Sequence, residues 1–524
     1  MKWLKTWLPQ ILMVLVAAAL LVVIGRSVWL FLDYNRQLIA FPFNVDYGEG
    51  PVLDQVMRLT RGETIYPRDI STPPYIIGNY PPMYHLVQLP FALIFGPAFW
   101  YGRVINLISL LAAAFFIGAT LYEINKDLLS AVIGGALLLT FPYILHWSGF
   151  VRVDSLALGL SWAAIYTVVR GGGKRRSIIL TAILLSAAIY TRQSYGLAAP
   201  FASFMVLLSQ KPEDIPEDRT GFVRRVFSRI SWKPALQLTL WTAAISLVVF
   251  GLLNLITGGG FFFNIITANV NPFFWNTVRN YQEQIAQHML TFIVGCAIFT
   301  VSAVWFKQRS WWLAVPYLAG ATISAITIGK DGSNVNYLFE LCAAFSFMIG
   351  AGLGVIGISW KLKPVEWVGK GWIFKLAAMV LIGLNVMALY DWSLTDYYKW
   401  PTDRIQYEYE DIARMVELAE DAEGPILADE FMGLVVVGGK PLAFQPFEYK
   451  QLVAGDVWDQ QDFILSIFDQ EYAYIFLYDT PWWDSQGARW TPDQLQAIFG
   501  NYVTIERLAE TLIMVPREPI DFYN

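Results

Sequence analysis

"YPPMYHLVQLPFALIFGP", Tyr80–Pro97, is the stretch on which the topology of this chain turns. It is apolar, but it opens on Pro81-Pro82, carries His85 and is interrupted by Pro90. Read as a transmembrane helix, it reverses the side on which every later loop lies. Read as a juxtamembrane or half-inserted helix, it leaves them where the first span put them. Proline at a helix start is tolerated, whereas an internal proline removes a backbone bond that hydrocarbon cannot replace.

The surroundings establish that membrane topology is the right question. The chain has 524 residues, of which 56% are hydrophobic and only 15% charged, and it contains 21 Trp. Its mean hydropathy is +0.45. Apolar runs of helix-spanning length recur at roughly 10–32, 99–123, 129–146, 153–169, 177–191, 195–209, 236–257, 286–306, 311–329, 337–358 and 373–392. A run of about 20 apolar residues crosses a bilayer as a helix. The expected class is a polytopic α-helical membrane protein with eleven spans, and a soluble enzyme is excluded.

The positive-inside rule arbitrates over Tyr80–Pro97. If that segment does not span, the cytoplasmic parts are the N-terminus, 124–128, 170–177, 210–235, 307–310 and 359–375. These hold 19 of the 29 Lys and Arg before position 396, among them Arg219, Arg224, Arg225, Arg229 and Lys233. The opposite loops after the second span keep only Arg152, Arg192, Arg279 and Lys330. The segment is therefore read as non-spanning. A basic N-terminal start with a long apolar core and no small-residue cleavage site reads as a retained signal anchor. The expectation is a multi-pass protein of the plasma (inner) membrane with a cytoplasmic N-terminus. The first outer loop, 33–97, shares the extracytoplasmic face with the C-terminal part.

Charge divides the chain. Residues 1–395 carry 29 basic against 18 acidic side chains, whereas 396–524 carry 8 against 24. Residues 396–524 thus read as an acidic, water-facing α/β domain. "EDIARMVELAEDA", "DQQDFILSIFDQ" and "TPDQLQAIFGN" have helical spacing, the last capped by Thr491. "GPILADE", "YAYIFLYD" and "YVTIERLAETLIMVP" read as strands. No P-loop, nucleophile elbow or metal cluster occurs there, so this domain is expected to cover the site or recognise an acceptor.

Other motifs weigh on the bland side. "GLGVIG", Gly352–Gly357, lies inside an apolar span without a preceding strand and reads as close helix packing. Cys296 and Cys342 lie in apolar runs and read as core residues. His146 and His288 are singletons. The aromatic, amphipathic 258–284 segment reads as interfacial.

The chemistry gathers on the outer face. "NVDYGEGPVLDQ", Asn44–Gln55, puts Asp46, Glu49 and Asp54 within nine residues. Asp54, on an amphipathic helix, reads as a solvated face. Arg152, Arg192, Arg279 and Lys330 are solitary cations at outer helix ends; lipid phosphate requires such groups, and interfacial snorkelling is the alternative. Arg152 and Asp154 read as a local ion pair or cap, or as part of a site. In "GKDGSNVNYLFE", Lys330, Asn334, Asn336 and Glu340 are candidate cavity residues, with Ser333 or Asn334 as helix cap in the alternative. A carboxylate at that surface suits activation of a hydroxyl or amine, while cations hold the leaving phosphate of a lipid-linked sugar. A divalent cation, Mg or Mn, bridging Asp46 or Glu49 to the phosphate is a variant.

In the order of these motifs the chain resembles the GT-C superfamily of membrane glycosyltransferases, and within it the protein O-mannosyltransferase and aminoarabinose transferase branch. "DYGEGPVLDQVMRLTRGETIY" supplies Glu49, Gly62 and Tyr66, and "NYPPMYHLV" supplies Pro81 and Pro82 with Tyr80 and His85 beside them. "YGRVINLISLL" and "RVDSLALGLSWAAIY" look like the following helix starts. The likeness covers about the first 210 residues. It departs in one place, since Gly48 precedes Glu49 where the family carries an adjacent acidic pair. The resemblance implies Asp46 and Glu49 as catalytic residues. The family spacing matches Glu49, whereas the chemistry favours Asp46 as base with Glu49 as its positioning partner or a metal ligand, so both stay open as the base. Tyr80, His85, Arg152, Asp154, Arg192, Lys330, Asn334, Asn336 and Glu340 would line the substrate site. It further implies a polyprenyl-phosphate-linked sugar as donor and a lipid, glycan or protein as acceptor, with no nucleic-acid partner. The alternatives are a transporter or flippase, for which midplane charges and internal repeats are missing, and a non-catalytic scaffold.

Overall fold

A computed structural model describes residues 2–209, 230–305, 310–361 and 371–518. The basic residues Arg219–Arg229, 307–309 and 363–370, which contribute to the orientation, lie outside these.

Helices dominate up to residue 421, and their outer surfaces are apolar. Trp232–Ile256 leaves Leu240, Leu247, Val248, Leu255 and Ile256 exposed, an arrangement stable in lipid and not in water. Among the described residues, six helices are long and apolar enough to cross a bilayer. They are Gln10–Ala40, Trp100–Asn125, Trp232–Ile256, Trp311–Gly329, Val335–Val355 and Gly371–Tyr407. Two bent pairs, Leu128–Thr140 with Pro142–Ser148 (62°) and Trp275–His288 with Leu290–Val304 (84°), bring the number to eight if each pair is one span. Length and composition therefore mark fewer spans than the eleven expected. Pro142 explains the first break, because it has no N–H to continue the preceding helix.

The deciding segment forms the helix Met83–Phe95, with Pro82 at its N-cap. Thirteen residues rise about 20 Å, short of the roughly 30 Å of a hydrocarbon core.

The C-terminal part follows the sequence reading closely. Helices Tyr409–Asp421, Gln461–Phe468 and Pro492–Asn501 flank a sheet of β1 (Ile426–Ala428), β2 (Tyr474–Tyr478), β3 (Tyr502–Leu508) and β4 (Thr511–Pro516). The strand order is β1-β2-β4-β3, with β1 parallel to β2 and the other pairs antiparallel. Thr491 closes a full capping box with Gln494, satisfying two orphan helix donors.

This part is docked on the first outer loop through buried polar contacts. Arg404 donates to the carbonyl of Val45 and pairs with Glu430 at 2.7 Å, while Asn44 donates to the Glu430 carbonyl at 3.0 Å. Gly50 packs so tightly on Gly433 that a β-carbon there would lie 2.5 Å from the Gly433 nitrogen. Asp54 corrects the sequence reading. It is fully buried, pairs with Arg58 at 2.6 Å and accepts from the Leu442 amide at 3.1 Å. The amphipathic helix Glu49–Thr60 turns its polar face to the C-terminal part rather than to water.

Candidate active site

The loop Asn44–Gly48 is set by a buried ion pair behind it. Glu49 opens the helix Glu49–Thr60, Arg103 stands in the first turn of Trp100–Asn125, and both side chains are 0% exposed. Glu49 accepts from Arg103 at 3.0 and 3.1 Å and from the amides of Val45 (2.7 Å), Asp46 (3.3 Å) and Val151 (2.8 Å). Arg103 also donates to the carbonyls of Phe41 (2.6 Å) and Phe43 (2.7 Å). Such saturation is what permits a charge pair in a buried setting. Glu49 thereby ties the loop Asn44–Gly48 to two helix starts.

Asp46 pairs with Arg152 and accepts from the Gly48 amide at 3.1 Å. Burial raises its proton affinity, with the Arg152 guanidinium opposing. The Arg152 guanidinium is sandwiched between Trp147 (5.2 Å to the ring centre) and Tyr47 (5.3 Å), contacts that favour a cation. Gly48 has an ordinary right-handed helical φ of −81°. Its role is space, because a β-carbon would lie about 2 Å from the Arg152 guanidinium. Gly48→Ala is therefore expected to push Arg152 off Asp46 and to cut the activity of this site by roughly tenfold or more, for the loss of one charge-assisted bond. Steady-state kinetics on folded protein would check it.

A cavity of about 330 Å³ opens in front of Arg152, a size suited to a small ligand portion. Its wall includes Tyr47, Asn79, Tyr80, Arg152, Arg192, Lys330, Asn336 and Glu448. Arg192 is buried, pairs with Asp154 and stacks 4.0 Å over the Tyr337 ring. Asp154 also accepts from Trp147 (3.2 Å) and Asn336 (3.1 Å). Lys330 is half-buried and donates to Asn269 at 3.3 Å. The ion pairs are thus Arg152–Asp46 and Arg192–Asp154, both between distant segments; Arg152 and Asp154 are not partners.

Of the sequence candidates, Tyr80, Arg152, Arg192, Lys330 and Asn336 line the cavity, and Asp46, Glu49 and Asp154 stand behind the wall. His85, Asn334 and Glu340 lie off it. His85 is fully buried in Met83–Phe95, Asn334 caps the short helix Val335–Leu338 by accepting from Val335, and Glu340 is buried within Phe339–Lys361. Arg279 pairs with Glu283 on an exposed face at 2.9 Å. Glu448 escaped the sequence reading, being one of 24 carboxylates after position 395 with no motif around it.

Asp46 and Glu49 do not form a metal site as they stand. Every Glu49 oxygen is engaged, Asp46 is held by a cation, and no group of three or more His, Cys, Asp and Glu gathers among the described residues.

The architecture combines a helical part, the loop Asn44–Gly48, the short apolar helix Met83–Phe95 and a docked C-terminal part. In solved structures it is shared with ArnT from Cupriavidus metallidurans bound to undecaprenyl phosphate, at a TM-score of 0.59 and 14% identity over 96% of this chain and 97% of that one. The apo form of the same protein gives 0.57 at 14% identity and the same coverage. The Archaeoglobus fulgidus oligosaccharyltransferase in its apo form gives 0.50 at 12% identity, over 91% of this chain and 70% of that one. No family model matches the sequence, and no curated protein matches it. The fold implied by the motifs of the first 210 residues is thus the fold of nearly the whole chain.

Proposed function

We propose that this protein is a membrane glycosyltransferase that moves a sugar from a polyprenyl-phosphate donor to an acceptor on the extracytoplasmic face. The observation that carries the reading is the convergence of Arg152, Arg192 and Lys330, from three separate outer segments, on one cavity with a carboxylate behind it. The fold shared with a protein captured with undecaprenyl phosphate supports the same donor class.

The three cations neutralise the donor phosphate, and two of them already have carboxylate partners that position them. A phosphate competing for the Arg152 guanidinium releases Asp46 in a buried setting, where burial raises its affinity for a proton. The acceptor's lone pair then forms a bond to the anomeric carbon, and the carbon–oxygen bond to phosphate breaks with its electrons staying on phosphate. The acceptor's proton passes to Asp46, and displacement from the opposite side inverts the anomeric centre. The arginines supply charge neutralisation of the kind that a Mg or Mn ion would provide.

In this reading the chain crosses the plasma (inner) membrane eleven times from a cytoplasmic N-terminus. Residues 1–395 bind the donor, and 396–524 form an extracytoplasmic domain over the site. The acceptor class, lipid, glycan or protein, is left to assay. The test is transfer or hydrolysis with purified protein and radiolabelled undecaprenyl-phosphate-linked sugars; no turnover with any of a hexose and pentose panel would count against it. Lys330→Ala is expected to weaken undecaprenyl phosphate binding by roughly tenfold, the size of one charge-assisted hydrogen bond.

A further inference from the structure

Two acidic side chains on the cavity wall, Asp331 and Glu448, are not used by the phosphate chemistry, and Asp331 already accepts from Gln451. Glu448 lies in the first turn of Pro446–Ala454, in the C-terminal domain. Three anchors hold this helix over the cavity. Gln445 accepts from the Ile77 amide at 3.0 Å, its backbone donates to the Tyr75 carbonyl at 3.1 Å, and Gln451 donates to Asp331 at 2.9 Å. Phe447 packs against the Tyr47 ring at 6.1 Å and closes on Gly332. Glu448 is therefore presented to the cavity by a fixed element.

Its two oxygens differ. Oε1 accepts from Asn79 at 3.4 Å, whereas Oε2 is buried with no hydrogen-bond partner. A buried carboxylate oxygen without a donor is costly, and a ligand hydroxyl or amine supplies what it needs. A carboxylate repels phosphate, so the partner is not the donor's leaving group.

Resting on the transferase reading above, we propose that Glu448 is the acceptor-binding carboxylate. It takes a hydrogen bond from the nucleophilic hydroxyl or amine and orients it toward the anomeric carbon. The C-terminal domain thereby completes the site instead of merely covering it.

Burial pushes the Glu448 carboxyl up to about 7, with its own backbone amide, Arg152 and Arg489 opposing. The other groups facing it are Tyr47, Asn79 and Tyr80, with Lys330 and Asp331 on the 327–332 turn. Ionised Glu448 accepts the stronger hydrogen bond, so acceptor use rises as pH passes upward through about 7.

The experiment uses the full chain in lipid nanodiscs. Its readouts are undecaprenyl phosphate binding, hydrolysis of an undecaprenyl-phosphate-linked sugar with water as acceptor, and transfer to glycerol as a hydroxyl probe. In Glu448→Gln, undecaprenyl phosphate binding is expected retained or tightened, which also reports the fold. The KM for glycerol should rise and hydrolysis fall by roughly tenfold or more, as expected for one hydrogen bond to a charged group. The pH limb near 7 should disappear, and Glu448→Asp should recover part of the loss. Unchanged glycerol KM and hydrolysis would overturn the proposal. So would a rise in the KM for the sugar-bearing donor alone, which would assign Glu448 to the donor sugar. Wild-type protein that binds no undecaprenyl phosphate and turns over no donor would remove the transferase reading itself, a result separable from either.

Discussion

Asp46→Asn is expected to lower sugar transfer by about 10²–10⁴-fold, the usual contribution of a general base, with undecaprenyl phosphate binding retained or tightened. That loss corresponds to about 3–5 kcal/mol of barrier. Asparagine keeps the shape of the side chain and can still accept from the Gly48 amide, so the loop Asn44–Gly48 should hold its path. It cannot take a proton, and it no longer pairs with Arg152 as a charge. Arg152 then stands on the cavity wall as an uncompensated cation and favours an anionic ligand more, not less. The combination of lost turnover with undiminished phosphate binding separates a loss of chemistry from a loss of fold. A folding defect would lower both. Full transfer by Asp46→Asn would remove Asp46 from the reaction.

The fold was legible because membranes impose simple rules. The apolar runs and the weak proline-interrupted segment at Tyr80–Pro97 follow from solvation, and they have their counterparts in the helices. The span count was less legible. Apolar length does not distinguish a straight helix from one bent by 62° at Pro142 or by 84° near His288. In the site, residue types on the outer face were readable and their pairing was not. Arg152 meets a carboxylate 106 positions away, and Arg192 one from another helix start, contacts that no local spacing encodes. Asp54 looked solvated because amphipathicity reveals a polar face without saying what covers it. Glu448 was hidden for a related reason. An acidic domain makes any one carboxylate ordinary, and only docking shows which of them reaches the cavity.

The largest effect on stability is expected from Arg103→Met, about 3–5 kcal/mol, the cost of breaking a buried ion pair by removing one partner. Methionine fills much of the volume, so the loss is electrostatic more than steric. Glu49 would retain the amides of Val45, Asp46 and Val151 but lose its cation at 0% exposure, and the carbonyls of Phe41 and Phe43 would lose their donor. These groups fix the loop that carries Asp46, so activity should fall with stability although Arg103 does not line the cavity. A thermal-unfolding series in detergent would show it, and the double variant Arg103→Met/Glu49→Met separates causes. Removing both charges leaves no orphaned carboxylate, so the double variant should be less destabilised than the sum of the two single ones. Additive losses would mean that the two side chains stabilise the loop independently, through their backbone bonds and not through each other. An Arg103→Met protein as stable and active as the wild type would dismiss the pair as the loop's anchor.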